Sequence, residues 1–416
     1  MDGPRATDIA DLPRAESGSR GSNQAGVRLY NERLVLSLVR RHGPLPKAEI
    51  ARLTGLSAMT TTTIMNRLEA DGLLIRREKT RGRVGQPSIP YGLNPDGAFA
   101  LGLKVGRRSS DLMLVDFAGR VRACERIAHA YPDPARVLGW FDEARVAVTA
   151  ALPDGSGGRI VGAGLASPVE LWNWDAEMEA SPRIMAAWHG CDLRVEIARR
   201  SGLQTFQCND ATAACAAELM IGNGARHRDF VYCFLGSFVG GGLVLNHALY
   251  PGRTGNAGAI GAMPVARLGA DGAIARPQLI RQASLYLLEQ RLRDAGRDPS
   301  AVWRTPYRWG DLGPALDAWI DDTAAALAPA LVACTAVIDV EAIIIDGACP
   351  THVRQRIVTR VGEEAARLDR RGLSPVRFVE GPVGHDARAV GAAMLPLMAG
   401  FAPDREVLFK EGDGRS

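Results

Sequence analysis

The sequence predicts an α/β protein in two parts: an N-terminal winged helix-turn-helix (residues 26–95) and a two-lobed, actin-like domain of the ribonuclease-H type (residues 96–416). Three observations predict it. Three short helical patterns precede a basic, glycine-containing hairpin. A strand meander followed by alternating strands and helices then occurs twice. Finally, residues 26–95 hold 12 Lys+Arg against 5 Asp+Glu, whereas the whole chain of 416 residues carries only +4. A basic block on a near-neutral body points to a polyanion met by the block alone, with a solvated basic surface as the bland alternative.

Residues 1–25 are rich in Gly, Ser, Arg and Asp, lack periodic apolar residues, and are expected to form a disordered tail. A helix is expected from Asn31, with Leu34, Val35, Leu38 and Val39 as one stripe and "RHGPLP" as its end. "KAEIARLTG" predicts a second helix that places Ile50 and Leu53 on one face and stops at Gly55. Ser57 is a good N-cap for a third, although position 60 is Thr rather than the Glu or Gln of a full capping box. The four consecutive threonines of that helix, Thr60–Thr63, cost about 2 kcal/mol against alanines, because β-branched side chains lose χ1 freedom there. Helical spacing turns Thr61, Ile64, Met65 and Leu68 toward the core and Met59, Thr62, Thr63 and Asn66 to the opposite face.

Three short helices before a basic β-hairpin make a winged helix-turn-helix, whose third helix enters the DNA major groove. That use offsets the threonine penalty. Threonine methyls touch the thymine methyl, hydroxyls bond base edges or phosphates, and Asn66 reads adenine bidentately. A weak helix held only by packing is the alternative. The expected DNA-binding residues are Lys47, Met59, Thr60, Thr62, Thr63, Asn66, Arg67, Arg81, Arg83 and Gln86. Among them Lys47 and Arg67 serve phosphates, and Arg81 and Arg83 of "RGRVGQP" reach a minor groove or its flanking phosphates.

Beyond residue 95, "FALGLKVGRRSSDLMLVDFAGRVRACERIAHA" reads as a meander with turns near Gly106 and Gly119. A helix over 134–152, the strand "RIVGAGLAS" and the strand "LQTFQ" opening into "CNDATAACAAELMIG" follow. The second lobe begins with "DFVYCFLGSFVGGGLVLNHALYPG", then helices at about 277–295 and 311–338. The strand "EAIIIDG", a helix, the strand "PVRFVEG" and a final helix from about His385 complete it. A cleft between such lobes is a natural ligand site.

Composition narrows the class further. Hydrophobic residues at 46% and charged residues at 23% suit a globular protein. Apolar runs such as Val161–Leu165 and Ile343–Ile345 are strand-length, so no membrane span is expected, and no apolar N-terminal run marks a secretory signal. Seven cysteines stand singly without a C-x-x-C pair, which fits reduced thiols in a cytoplasm and offers no disulfide framework or zinc site.

Together with the winged helix, the segments "GLKVG", "GAGLASPV", "CNDATAACAAE", "FLGSFVGGGLVLN", "GNAGAIGAMPV" and "HDARAVGAAML" resemble the ROK family of repressors, open reading frames and sugar kinases. The resemblance runs over nearly the whole chain from about residue 27 and implies a sugar-kinase-like fold. The DNA-binding extension is what sets the family's regulators apart from its kinases. The kinase residues are altered. Where the family's first strand ends in a D-x-G-G-T turn, this chain reads Lys104-Val105-Gly106-Arg107-Arg108, and a lysine cannot coordinate Mg²⁺. The second phosphate loop becomes "LGSFVGGGL", with Phe238 in place of a small glycine, and the adenosine-side glycines become "DGACP".

On the sugar side the resemblance carries over Asn209 and Asp210, the latter a general base in the kinases and a sugar-hydroxyl ligand generally; a helix N-cap is the competing reading of Asp210. The family's G-E-I-G-H becomes "GAIGA", with Ala259 and Ala262, and its cysteine-rich segment is replaced by "ARLGADGAIARPQLI". A structural zinc site of the family type is therefore not expected, and no cofactor is. Asn256 joins Asn209 and Asp210 as an expected ligand-binding residue, and His247 lies nearby in the chain.

The resulting expectation is a cytoplasmic, non-enzymatic transcriptional repressor. It would bind double-stranded operator DNA as a homodimer or homotetramer, with a sugar or polyol effector and no membrane partner. The alternatives are a sugar kinase with a DNA-binding appendage and a constitutive DNA binder whose large domain only oligomerises.

Overall fold

The computed structural model describes residues 7–8, 24–78, 89–168, 187–268, 272–304 and 309–404. Its contacts divide the chain into two units, Met1–Cys208 with Ala392–Ser416, and Asn209–Gly391.

In the first unit, two residues of the expected tail form a short strand, β1 (Thr7–Asp8). Helix α1 spans Gln24–His42, seven residues longer at its start than the apolar stripe indicates, because its first two turns bury only Gly26. Strand β2 (Leu45–Pro46) leads into α2 (Lys47–Thr54), which Gly55 ends in the left-handed region (φ 70°) with its N–H on Ala51 O. Of the two residues expected to face inward from α2, Ile50 is fully buried but Leu53 stays 37% exposed. A helix this short presents one buried position, and its neighbour a turn away falls on the rim. Helix α3 (Ala58–Ala70) starts on Ser57, whose side chain accepts from Thr60 N.

Strands β3 (Leu74–Arg76) and β4 (Pro90–Leu93) pair antiparallel, and β2 joins the other edge of β4. Two residues are too short to show a strand's alternation, which is why β2 escapes the sequence. The hairpin tip over residues 79–88, with Arg81, Arg83 and Gln86, lies outside the described residues.

The winged helix is tied into the meander that follows. Arg40 of α1 donates to Phe117 O (2.8 Å) and lies over the Phe117 ring, while burial pulls its pKa down to about 10. Asn94 Nδ2 donates to Gly72 O (2.7 Å), and Arg159 donates to Asp96 O (2.8 Å). Strands β5 (Phe99–Val105), β6 (Ser109–Asp116) and β7 (Val121–Ala128) form the expected antiparallel meander. With β8 (Ile160–Ser167) parallel to β5, and β9 (Thr205–Asn209) parallel to β1, they make a six-stranded sheet of order β1-β9-β8-β5-β6-β7. Helix α4 (Pro134–Thr149), capped by Asp133, and helix α5 (Leu193–Ser201) cover it, and Phe99, Leu112, Phe141, Leu165 and Ile197 share one core. Edge strand β7 is largely exposed and carries Arg122, Glu125 and Arg126, charges that discourage pairing with another chain.

The second unit opens with α6 (Asp210–Ile221) and builds a five-stranded sheet. Strand β10 (Phe230–Leu235) pairs antiparallel with β11 (Val239–Leu245), which pairs in turn with β12 (Ala248–Leu249). Within the segment "ARLGADGAIARPQLI", β13 (Arg267–Leu268) pairs antiparallel with β14 (Ile274–Ala275) as a separate two-stranded sheet. Helix α7 (Leu285–Asp294) begins later than the pattern over 277–295 suggests. Gln282 donates instead to the Val265 and Pro277 carbonyls, and Ser284 Oγ accepts from Val239 N (2.9 Å), so the chain turns before the helix can start. Helix α8 (Gly313–Ile338), strand β15 (Ala342–Gly347), helix α9 (Thr351–Ala366), strand β16 (Arg377–Glu380) and helix α10 (Ala387–Phe401) follow, with β15 parallel to both β10 and β16.

The segment Trp309–Ile338, which contains α8, is long and apolar enough to cross a membrane by length and composition, against the expectation from the short runs. Its packing is that of a core helix: Leu316, Trp319, Ile320, Leu327 and Leu331 are buried, while Asp317, Asp321 and Asp322 are exposed.

Two glycines differ sharply in what they allow. A Cβ on Gly164 of β8 would lie 1.7 Å from Ala392 O, whereas one on the exposed Gly139 of α4 would meet nothing within 4 Å. Gly164→Ala is expected to lower the urea unfolding free energy by about 2 kcal/mol or more, through overpacking against backbone. Gly139→Ala is expected to raise it by about 0.5–1 kcal/mol through helix propensity.

Candidate functional site

Helix α3 has two faces. Thr61, Ile64, Met65 and Leu68 are buried, each 5% exposed or less; Met59, Thr60, Thr62, Thr63, Asn66 and Arg67 are exposed, Met59 at 82%. The hydroxyls of Ser57 and Thr60 are 2.9 Å apart, and Thr63 Oγ1 donates to Met59 O (3.1 Å), so the run satisfies part of its own polarity. Lys47 Nζ donates to Asn66 Oδ1 (2.7 Å) and stands 5.4 Å from the centre of the Tyr91 ring. Arg67 pairs with Glu32 (3.4 Å) and Asp71 (3.7 Å), Arg52 with Glu49 (2.5 Å) and Arg76 with Glu69 (2.8 Å). The carboxylates of Glu32, Glu49, Glu69 and Asp71 are thus each answered by an arginine. What α3 presents outward is hydroxyl, amide, thioether and the paired guanidinium of Arg67.

The turn after β5 and the glycines of β11, expected from the resemblance to correspond to phosphate loops, are filled from within. Lys104 is 4% exposed; its Nζ donates to Ser109 O (3.0 Å) and Oγ (2.8 Å) and pairs with Asp111 Oδ2 (2.9 Å). Arg126 holds the other oxygen of Asp111. Burial works to raise the Asp111 pKa, but the two cations outweigh it and hold the carboxyl well below its usual range. His129 is half-buried; desolvation, then the nearby positive charge of Lys104, pushes its pKa down to about 4. On β11, a Cβ on Gly240 would meet Ala211 Cβ at 2.7 Å, one on Gly242 would meet Cys215 Cβ at 2.5 Å, and one on Gly241 would meet Gly258 O at 2.8 Å. These glycines are used for close packing. Phe238, in the turn before them, stacks edge-on against Tyr286 (5.5 Å).

The sugar-side residues are also engaged. Asn209, and not Asp210, caps α6: its Oδ1 accepts from Ala211 N (2.9 Å). Asp210 Oδ2 accepts from Arg388 Nη1 (3.3 Å), and the Arg388 guanidinium, 8% exposed, lies 5.1 Å from the centre of the Phe234 ring. Asn256, Ala259 and Ala262 are exposed, and His247 belongs with Asn246 to a two-residue hairpin turn, both at positive φ. Sequence reasoning missed Arg388, although it sits inside the quoted "HDARAVGAAML"; a buried basic residue in a helix otherwise built of small apolar ones was the available signal.

The altered "DGACP" loop encloses a further buried pair. Asp346, fully buried, accepts from Tyr232 Oη (3.0 Å), Gly347 N (2.7 Å) and Gly384 N (3.0 Å), with Arg354 Nε at 3.5 Å. Glu218, equally buried, accepts from Asn223 N (2.6 Å) through one oxygen. Burial, then the mutual repulsion of the two acids, pushes Glu218 up to about 8; burial pushes Asp346 up to about 6.

Comparison with known proteins gives the following. The ROK family model matches residues 100–398, and a winged helix-turn-helix DNA-binding model matches residues 28–75. The xylose repressor of Bacillus subtilis is 22% identical over 246 residues, 59% of this chain and 62% of that repressor, so the match spans about three fifths of the curated relative's length. A solved ROK family transcriptional regulator, described as a homologue of the E. coli MLC protein, superposes with a TM-score of 0.62 at 20% identity, covering 92% of this chain and 99% of that one. A ROK family glucokinase from Streptomyces griseus, solved with glucose and AMPPNP, gives a TM-score of 0.56 at 20% identity, covering 72% and 99%. At these identities the structural likeness establishes the fold: a winged helix-turn-helix joined to an actin-like, sugar-kinase-type domain.

The raised acids set a pH dependence. The ordinary Glu pKa of about 4.3 lies below the folded value, so the folded state holds a proton that the unfolded state releases. Stability from protonated Glu218 is therefore complete below about pH 4.3 and lost as pH rises toward 8, at up to about 1.4 kcal/mol per pH unit. Asp346 contributes in the same direction up to about pH 6. Thermal unfolding from pH 5 to 8.5 should show a falling Tm, and Glu218→Gln should flatten that slope above pH 6.

Proposed function

From the premise that the chain belongs to the ROK family, we propose that it is a transcriptional repressor controlled by a small sugar-like effector, binding operator DNA through α3 and the wing. The observation that carries this reading is the division of α3, with Ile64, Met65 and Leu68 inward and Met59, Thr62, Thr63 and Asn66 outward. Lys47, Thr60 and Arg67 belong to the same surface, and Arg81, Arg83 and Gln86 of the wing would complete it. The protein would act in the cytoplasm as a homodimer or homotetramer, two copies placing paired α3 helices on a near-palindromic site.

The effector is assigned to the carbohydrate or polyol class. The likeness to a xylose repressor supports the class, but 22% identity does not carry over the particular sugar. Asn209, Asp210 and Asn256 are the proposed contacts. Catalysis is not part of the proposal: Asp111 neutralises Lys104, and Asp210 is held by Arg388, an arrangement that disfavours Asp210 as a general base. A ligand can shift repression only by favouring one conformation over another.

Footprinting of the purified protein on its own upstream region tests the reading. A protected near-palindrome is expected, with log affinity falling linearly against log salt by about 0.9 per phosphate contacted. Sequence-indifferent binding would reject it. A sugar and polyol panel should contain a compound that raises Tm in a concentration-dependent way. Asp210→Ala should abolish that shift and leave operator affinity within about twofold, a change below 0.5 kcal/mol. ATP-dependent phosphorylation of any sugar in the panel, lost in Asp210→Ala, would make the chain a kinase instead.

A further inference from the structure

We infer that Lys47 is a specificity-determining residue: by occupying the amide oxygen of Asn66 it converts that side chain from an adenine reader into one half of a guanine-reading pair. The inference rests on the proposed DNA-binding reading of α3 and deepens it.

The geometry is direct. Lys47 Nζ donates to Asn66 Oδ1 at 2.7 Å, and the lysine stem is held at the first position of α2, behind Pro46, with its ammonium 5.4 Å from the Tyr91 ring centre. Tyr91 is itself 4% exposed, fixed in β4 between β2 and β3, and Arg76 lies on it at 5.9 Å. The ammonium is therefore positioned by packing rather than left to sweep solvent, as a phosphate-seeking lysine would be. Asn66 lies on the exposed face of a helix capped at Ser57 and anchored by Ile64, Met65 and Leu68.

The donor and acceptor code of the major groove decides what this pair reads. Adenine shows N7 as acceptor and N6–H₂ as donor, so a bidentate asparagine must offer Nδ2 to N7 and Oδ1 to N6. Guanine shows two acceptors, N7 and O6, and asks only for donors. In the Lys47–Asn66 pair Oδ1 is committed to the ammonium, while Nδ2–H₂ and the remaining N–H groups of Nζ stay available. The pair presents donors and a positive charge. Adenine N6–H₂ would meet a cation, and guanine's electronegative edge would meet its complement.

The test is selection of binding sites from a pool of random-sequence DNA duplexes by the purified full-length protein, in four forms at one salt concentration: wild type, Lys47→Met, Lys47→Arg and Asn66→Ala. Wild type is expected to select guanine at one position of each half-site, by roughly tenfold over adenine, as a single bidentate contact provides. Lys47→Met frees Oδ1 and should change that position to adenine while the rest of the site stands. Lys47→Arg keeps donor and charge and should keep guanine. Asn66→Ala should lose the preference there alone, and it supplies the reading if Lys47→Met fails to fold. A Lys47→Met site identical to wild type, with affinity lowered equally for all sequences and a shallower salt dependence, would make Lys47 a phosphate contact and overturn the inference while leaving the DNA-binding reading intact. A wild-type protein that selects no site at all would overturn both.

Discussion

The burial of Ile64, Met65 and Leu68 is the constraint from which the rest of the DNA-facing module follows. Each buried side chain of this size is worth about 1.5–3 kcal/mol, more than the threonine run costs in helix propensity. Once those three face inward, toward α1 and α2, the helical period leaves no choice about Thr62, Thr63 and Asn66. They must point away from the core. The exposed face is thus set by the hidden one, and a sequence can vary its outward residues without disturbing the fold.

The same economy runs through the larger domain, where buried polar groups are matched by internal pairing. A buried lysine would be intolerable alone; with Asp111 and Ser109 it is fully coordinated. The triple glycine of β11 admits Ala211, Cys215 and Gly258 at close range because no Cβ stands in the way. Asp346, in the "DGACP" loop, collects hydrogen bonds from Tyr232, Gly347 and Gly384. These pairings satisfy one another locally, so each buried polar group is balanced within its own neighbourhood.

How much of this was legible in the sequence depended on whether the signal was periodic or pairwise. The faces of α3, the meander, the buried strand over 342–347 and the cap at Ser57 were readable because each follows from spacing or from one residue's preference. The early start of α1, the exposure of Leu53 and the two-residue strand β2 were not, since nothing periodic marks them. Pairings at long range were least legible of all. Lys104 was visible as a lost acid, but its neutralisation by Asp111 needs the β5–β6 register. Asp210 was visible as a possible ligand, yet Arg388, 178 residues away in the chain, sets its surroundings.

The ties between the winged helix and the meander give that module a mechanical character. Only five residues separate β4 from β5, and they are spent on the turn at Pro95–Gly97 rather than on a leash. Arg40 on Phe117, Asn94 on Gly72 and Arg159 on Asp96 lash the remainder down. A reading head on a flexible tether tolerates variable distance between its targets. One bolted to its lobe behaves as a rigid caliper that turns only when the lobe turns; under the proposed paired binding, the pitch of the double helix would become a tolerance to be met without slack.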